Sequence, residues 1–185
     1  MKNIRISAND YTLLEFGGNE CDFNWSAIAA DPERMHLPNT SVTEFSMKYG
    51  RIVDRVRELG SSPVLLTLPP VEPGMYFAHI TRGFSDEGRR NVLDWLGGTP
   101  DFIREWHEMY NFHVLEMASR KGVPVIDVTS PFYSRPDYGK LLCEDGTHPN
   151  AQGRAVMDGA LEDGLRKIVE EQSLESLGGI QVAFC

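Results

Sequence analysis

Three short apolar runs, Tyr11 to Phe16, Val64 to Leu68 and Val123 to Val128, constrain the fold of this chain more than any other feature. Each is rich in Leu, Val and Ile and is bounded by Gly, Pro or Ser. Runs of this kind predict buried strands of a parallel sheet rather than strands with one wet face. Between the first two, Val42, Phe45, Tyr49, Ile52, Val53, Val56 and Leu59 recur at helical spacing, and Gly60 closes the segment. Thr99 as N-cap and Pro100 at the first helical position open a second helix, whose Phe102, Ile103, Trp106, Met109, Val114 and Met117 face a core before Gly122 stops it. Asn150 is placed to cap a last helix over Ala151 to Gln172.

Alternating strands and helices imply one α/β domain with a parallel sheet and right-handed crossovers, here assigned to residues 1–172. The remainder, 173–185, is expected to be a tail or an added strand, since Ile180, Val182 and Phe184 alternate behind Gly178 and Gly179. Two long stretches, Asp22 to Ser41 and Pro69 to Gly98, follow the first two strands and exceed ordinary connections. Open α/β sheets bind ligands at that end. Met75 and the aromatics of the second stretch, Tyr76, Phe77, Phe84 and Trp95, fit either a lid or acyl pocket wall or, more simply, the packing of a short helix around Glu87 to Leu96.

A chain of 185 residues with 41% hydrophobic content can bury a single real core. Its net charge of -9 repels phosphate backbones and anionic lipid, which argues against nucleic-acid and membrane partners. Three cysteines, Cys21, Cys143 and Cys185, lack the spacing of a thiolate zinc site or a disulfide framework, so a reduced, cytoplasmic setting is expected. The first ten residues lack the apolar centre of a signal peptide, and no apolar run is long enough for a membrane span.

The segment Glu144-Asp145-Gly146-Thr147-His148-Pro149-Asn150 sets a carboxylate three residues before an imidazole, beside a helix start. Those are the residue types that a hydrolase uses as base and as the acid orienting that base. At the other end of the chain, Phe16-Gly17-Gly18-Asn19 leaves a strand and puts a side-chain amide where it can donate to a developing oxyanion. The bland alternatives are turn residues throughout: His148 and Asp145 in a solvated turn, Asn19 after two glycines. The other histidines read plainly. His107 and His113 are not at zinc-pair spacing, His36 and His79 stand alone in loops, and no metal or cofactor is expected. Asp127 is expected to cap the turn at Ser130-Pro131, and Cys21 and Cys143 to be buried as small apolar residues.

Leu14-Glu15-Phe16-Gly17-Gly18-Asn19-Glu20-Cys21-Asp22, Leu37-Pro38-Asn39-Thr40 and Asp145-Gly146-Thr147-His148-Pro149-Asn150 together resemble the SGNH/GDSL hydrolases, over most of residues 11–170. The third block of that family reads Gly-x-Asn-Asp, here Gly17 to Glu20 with Glu in place of Asp; the fifth reads Asp-x-x-His-Pro, here Asp145 to Pro149. The resemblance implies a three-layer, flavodoxin-like fold and metal-free hydrolysis of carboxylic esters, with acetyl groups on carbohydrate or short acyl chains as substrates. It implies His148 as general base, Asp145 as its orienter, Asn19 as an oxyanion donor, and Gly17 and Gly18 as the turn that shapes the loop.

The Gly-Asp-Ser turn of the first block is missing. Only ten residues precede Tyr11, whereas a strand, helix and strand take about 30. Ser7, Ser41 and Ser46 lie on no strand-to-helix elbow, so the nucleophile is unassigned. The expectation is a family member lacking its first strand-helix-strand portion. Its rival is a non-catalytic α/β binding or assembly module, a remnant of such a hydrolase. In either case the Tyr11 to Phe16 strand would be an open edge, which invites a homo-oligomer or the Ile180 to Phe184 segment to cover it.

Overall fold

The computed structural model describes residues 10–178, with side chains for 10–173. Ile180, Val182 and Phe184, read as an added strand, lie outside the described residues. Strand β1 (Tyr11–Leu14) is followed by helices α1 (Trp25–Ala30) and α2 (Val42–Glu58), then by β2 (Ser62–Leu66). Helices α3 (Pro73–Ile80), α4 (Asp86–Trp95) and α5 (Asp101–Lys121) lead to β3 (Val125–Ile126). A short helix α6 (Ser130–Tyr133), a 3-10 turn (Tyr138–Leu141) and helix α7 (Ala151–Gly178) complete the order. The strands form one parallel sheet in the order β1-β2-β3, with Leu14 opposite Leu65 and Leu66 opposite Ile126.

The pleat of β2 explains the layers, because successive side chains of a strand point to opposite faces. Leu65 enters a core with Leu14, Phe45, Tyr49, Val53, Tyr110, Val114 and Met117, from α2 and α5. Its neighbours Val64 and Leu66 enter another with Ile126, Val128 and Ile168, where α7 covers the sheet. A strand apolar on both faces thus carries helices on both, in keeping with the three-layer expectation. A further apolar cluster, with Phe23, Ile28, Val71, Phe77, Val92, Leu96 and Ile103, joins the two long insertions to α5.

The strands are shorter than their apolar runs because side chains take over the ladder. Thr67 Oγ1 accepts from the backbone N–H groups of Val128 (2.8 Å) and Thr129 (3.1 Å), and Asn111 Oδ1 accepts from Leu68 N (3.1 Å). Helix α5 starts at Asp101, with Pro100 in the cap position; Thr99 Oγ1 still accepts from Asp101 N at 3.3 Å, one residue off its expected role. Gly122 ends α5 in the left-handed conformation. The last helix runs on to Gly178, past the Gln172 boundary read from the sequence, so the first residues of the expected tail are helical. Among the described residues β1 is an edge strand, with Leu13 and Phe16 partly exposed.

Candidate active site

Beyond β1 the chain folds back on itself at Gly17, whose φ of 140° and close approach to Leu68 leave no room for a side chain. Glu20 Oε2 accepts from Gly17 N at 3.0 Å, and Cys21 N donates to Gly17 O at 2.9 Å. Glu20, the departure from the family's aspartate, therefore closes the turn that presents Asn19. From the second side, Asn39 Nδ2 donates to the Asn19 carbonyl (2.9 Å) and Thr40 N to the Glu20 carbonyl (3.0 Å). The Asn19 side chain is exposed and makes no hydrogen bond among the described residues.

His148 is presented by a tight loop between Leu142 and Pro149, which pair as an antiparallel bridge. Cys143 N donates to His148 O at 2.7 Å. Asn150 fixes both sides of the loop: its Nδ2 donates to Lys140 O (2.8 Å) and Leu142 O (3.0 Å), and its Oδ1 caps α7 through Gln152 N and Gly153 N. Within the loop, Asp145 Oδ1 accepts from Thr147 N (2.9 Å) and His148 N (3.0 Å), while Asp145 Oδ2 lies 2.8 Å from His148 Nδ1. Partial burial raises the Asp145 carboxyl, but the His148 and Thr147 backbone N–H groups and the His148 ring outweigh it and hold the group well below the usual carboxylate range. An ionised Asp145 only accepts, so Nδ1 carries the ring proton and Nε2 keeps a lone pair.

Gly17, Gly18, Asn19, Asp145 and His148 all line one cavity of about 1010 Å³. The two sequence motifs, far apart in the chain, meet at that rim. The His148 side chain is 80% exposed there, open to a reactant. Glu15 also lines the cavity; burial and then Glu20 push its carboxyl up, against the pull of His148.

Cys21, a cavity-lining residue, is buried, and burial pushes its thiol up to about 12, which removes it as a nucleophile at ordinary pH. Asp127 caps the turn after β3, accepting from Thr129 N (2.9 Å) and Ser130 N (3.0 Å), as expected. Among the described residues no group of three or more His, Cys, Asp or Glu could hold a metal ion, and no helix is long and apolar enough to cross a membrane.

Sequence reasoning passed over several cavity residues. His79 lies in α3 rather than in a loop, and both it and His107 line the cavity, as do Asp22 and Trp25; Tyr76, weighed above as a pocket-wall residue, lines it too. One signal was present: Ile103, His107, Tyr110, Val114 and Met117 follow helical spacing, so His107 falls on the buried stripe of α5.

The sequence profile described as the GDSL-like Lipase/Acylhydrolase family matches residues 3–156. The chain belongs to the GDSL-like lipase/acylhydrolase family. Comparison with curated protein sequences finds no significant match. Among solved structures, the GDSL fold is shared with the lipase/acylhydrolase from Enterococcus faecalis, at 16% identity and a TM-score of 0.55, over 82% of this chain and 58% of that one. It is shared with a GDSL-like lipase from Bacteroides thetaiotaomicron, at 13% identity and a TM-score of 0.53, over 84% and 62%. A catalytic mutant of an acetylxylan esterase from Geobacillus stearothermophilus gives 17% identity and a TM-score of 0.51, over 82% and 57%. The chain thus spans about six-tenths of the length of these GDSL-family structures.

Proposed function

We propose that this chain carries the base, its orienter and an oxyanion donor of an ester hydrolase acting on carboxylic esters, acetyl esters of hydroxylated compounds among them. The observation that carries the proposal is the 2.8 Å contact of His148 Nδ1 with an Asp145 carboxylate locked by two backbone N–H groups, on the cavity that Asn19 also lines. Asp145 holds the imidazole in one tautomer, so Nε2 takes the proton of an attacking hydroxyl and returns it to the departing alcohol. Asn19 Nδ2 then donates to the oxyanion of the tetrahedral intermediate. A serine as nucleophile, as the resemblance implies, is not hydrogen-bonded to His148 among the described residues. Ser41 instead caps α2, and Ser46 lies inside that helix.

That observation favours a second reading, a binding or assembly module that keeps the fold without turnover. One experiment separates the two. The protein is incubated with p-nitrophenyl acetate and with a serine-directed phosphonate, followed by intact mass. Turnover above a His148→Ala control with a single label supports the hydrolase; neither supports the module. Self-association through the Tyr11 to Phe16 edge belongs to the same proposal, and sedimentation of wild type against Leu13→Lys tests it, a monomer in both overturning it.

A further inference from the structure

Four carboxylates, Glu15, Glu20, Asp22 and Asp145, line the cavity, and among the described residues no lysine or arginine does. Glu20 and Asp145 are occupied in closing the two loops described above. Asp22 is held differently. Trp25 Nε1 from α1 and Tyr76 Oη from α3 both donate to its Oδ1 at 2.7 Å, and neither reaches Oδ2. Burial and then Asp22 push the Tyr76 phenol up, so it remains a donor. The result is a carboxylate fixed in orientation with one oxygen left for another donor.

The second observation is His107. It is 9% exposed, lines the same cavity, and its Nδ1 is enclosed with no hydrogen-bond partner. Burial pushes the imidazole down to about 4, so the ring is neutral. An enclosed N–H without a partner is rarer than an enclosed unused acceptor, which puts the proton on Nε2, the ring nitrogen that is not enclosed. Trp106 Nε1, next to it on α5, donates to the Cys21 carbonyl at 2.8 Å, which ties the His107 helix to the Asp22 loop.

We propose that this part of the cavity takes an uncharged, hydroxyl-bearing group of the substrate, one hydroxyl donating to Asp22 Oδ2 and another oxygen accepting from His107 Nε2–H. Anionic groups, such as phosphate esters, are rejected by the four carboxylates, which no lysine or arginine among the described lining residues offsets. Only the designation of this group as the alcohol portion of an ester rests on the hydrolase proposal. Asp22 and His107 are specificity residues, since no bond is made or broken at either.

The indole N–H of Trp25 is a built-in reporter, because it donates to Asp22. In nitrogen-15 correlation spectra its signal is assigned by Trp25→Phe, and the protein is titrated with glyceryl monoacetate, glycerol 3-phosphate and acetylcholine. Glyceryl monoacetate is expected to move the Trp25 signal saturably while glycerol 3-phosphate leaves it in place. Asp22→Asn and His107→Phe are each expected to weaken glyceryl monoacetate binding roughly 10- to 100-fold, the range for a lost hydrogen bond to a charged or buried partner. No saturable shift, equal binding of the phosphate, tighter binding of acetylcholine, or wild-type affinity in Asp22→Asn overturns the proposal. Should Asp22→Asn fail to fold, the three-ligand comparison on wild type decides. Binding is read without turnover, so a chain that passes here and fails with p-nitrophenyl acetate refutes the hydrolase proposal alone.

Discussion

The Gly146 carbonyl accepts from the Glu72 backbone N–H at 2.8 Å, which pins the loop of the Asp145–His148 pair to the start of α3. At Gly146 φ is 74°, and a Cβ there would sit 2.6 Å from Tyr76 N and 2.9 Å from the Glu72 carbonyl oxygen, both backbone atoms. Gly146→Ala is therefore expected to cost about 3 kcal/mol, from left-handed backbone and overpacking together. In a chain of this size that lowers the thermal midpoint by roughly 10 °C. Gly18→Ala, with open space around it, should change stability by less than about 0.5 kcal/mol. Thermal unfolding followed by circular dichroism compares the two, and equal midpoints would refute the close packing described.

His107 predicts a pH dependence of stability. The folded imidazole titrates near 4 against an ordinary 6.5, because burial disfavours its charge. Between those values the unfolded chain binds the proton and the folded chain does not, so stability falls as pH drops through that window. The loss by its lower end is about 3 kcal/mol. Asp145, whose carboxyl is depressed, contributes stability that is lost only below the ordinary carboxylate value of 3.8. Urea unfolding at neutral and mildly acidic pH should show the loss in wild type and a flatter response in His107→Leu. An unchanged pH response in the variant would remove His107 as the cause.

In the ester assay, Asp145→Asn should keep the fold and lose about 10⁴-fold in kcat, since an amide does not hold the imidazole in the working tautomer. Asn19→Ala should lose about 10²- to 10³-fold, the scale of one oxyanion donor. An Asp145→Asn variant as active as wild type would show that the 2.8 Å contact is structural only.

Asn111 holds the floor of the site from behind: its Oδ1 accepts from Leu68 N and its Nδ2 donates to Thr129 Oγ1 at 3.2 Å. Asn111→Leu strands a buried N–H and should cost about 2 kcal/mol. The urea midpoint measures this, and a wild-type midpoint would contradict it.

Periodicity made the larger elements readable. The stripe from Val42 to Leu59 became α2, and Gly122 and Asn150 ended and began helices where their backbone preferences and side-chain reach predict. The strand ends were not readable, because Thr67 and Asn111 replace ladder bonds through contacts distant in sequence. Asp145 and His148 could be paired from sequence because they sit three apart in one loop. Asp22 and Trp25 also sit three apart, but Tyr76 and His107 join them only from segments distant in sequence, so the group as a whole leaves no local pattern. Tyr76 fits the pocket-wall alternative, whereas Trp95 packs edge-on against Phe23 as a core residue.

A single oxygen, Asp22 Oδ1, fastens together helices drawn from two insertions that arose at different points along the chain. Neither insertion can be exchanged on its own without slackening the other. Any redesign of ligand preference in this molecule must therefore graft both segments as a matched pair.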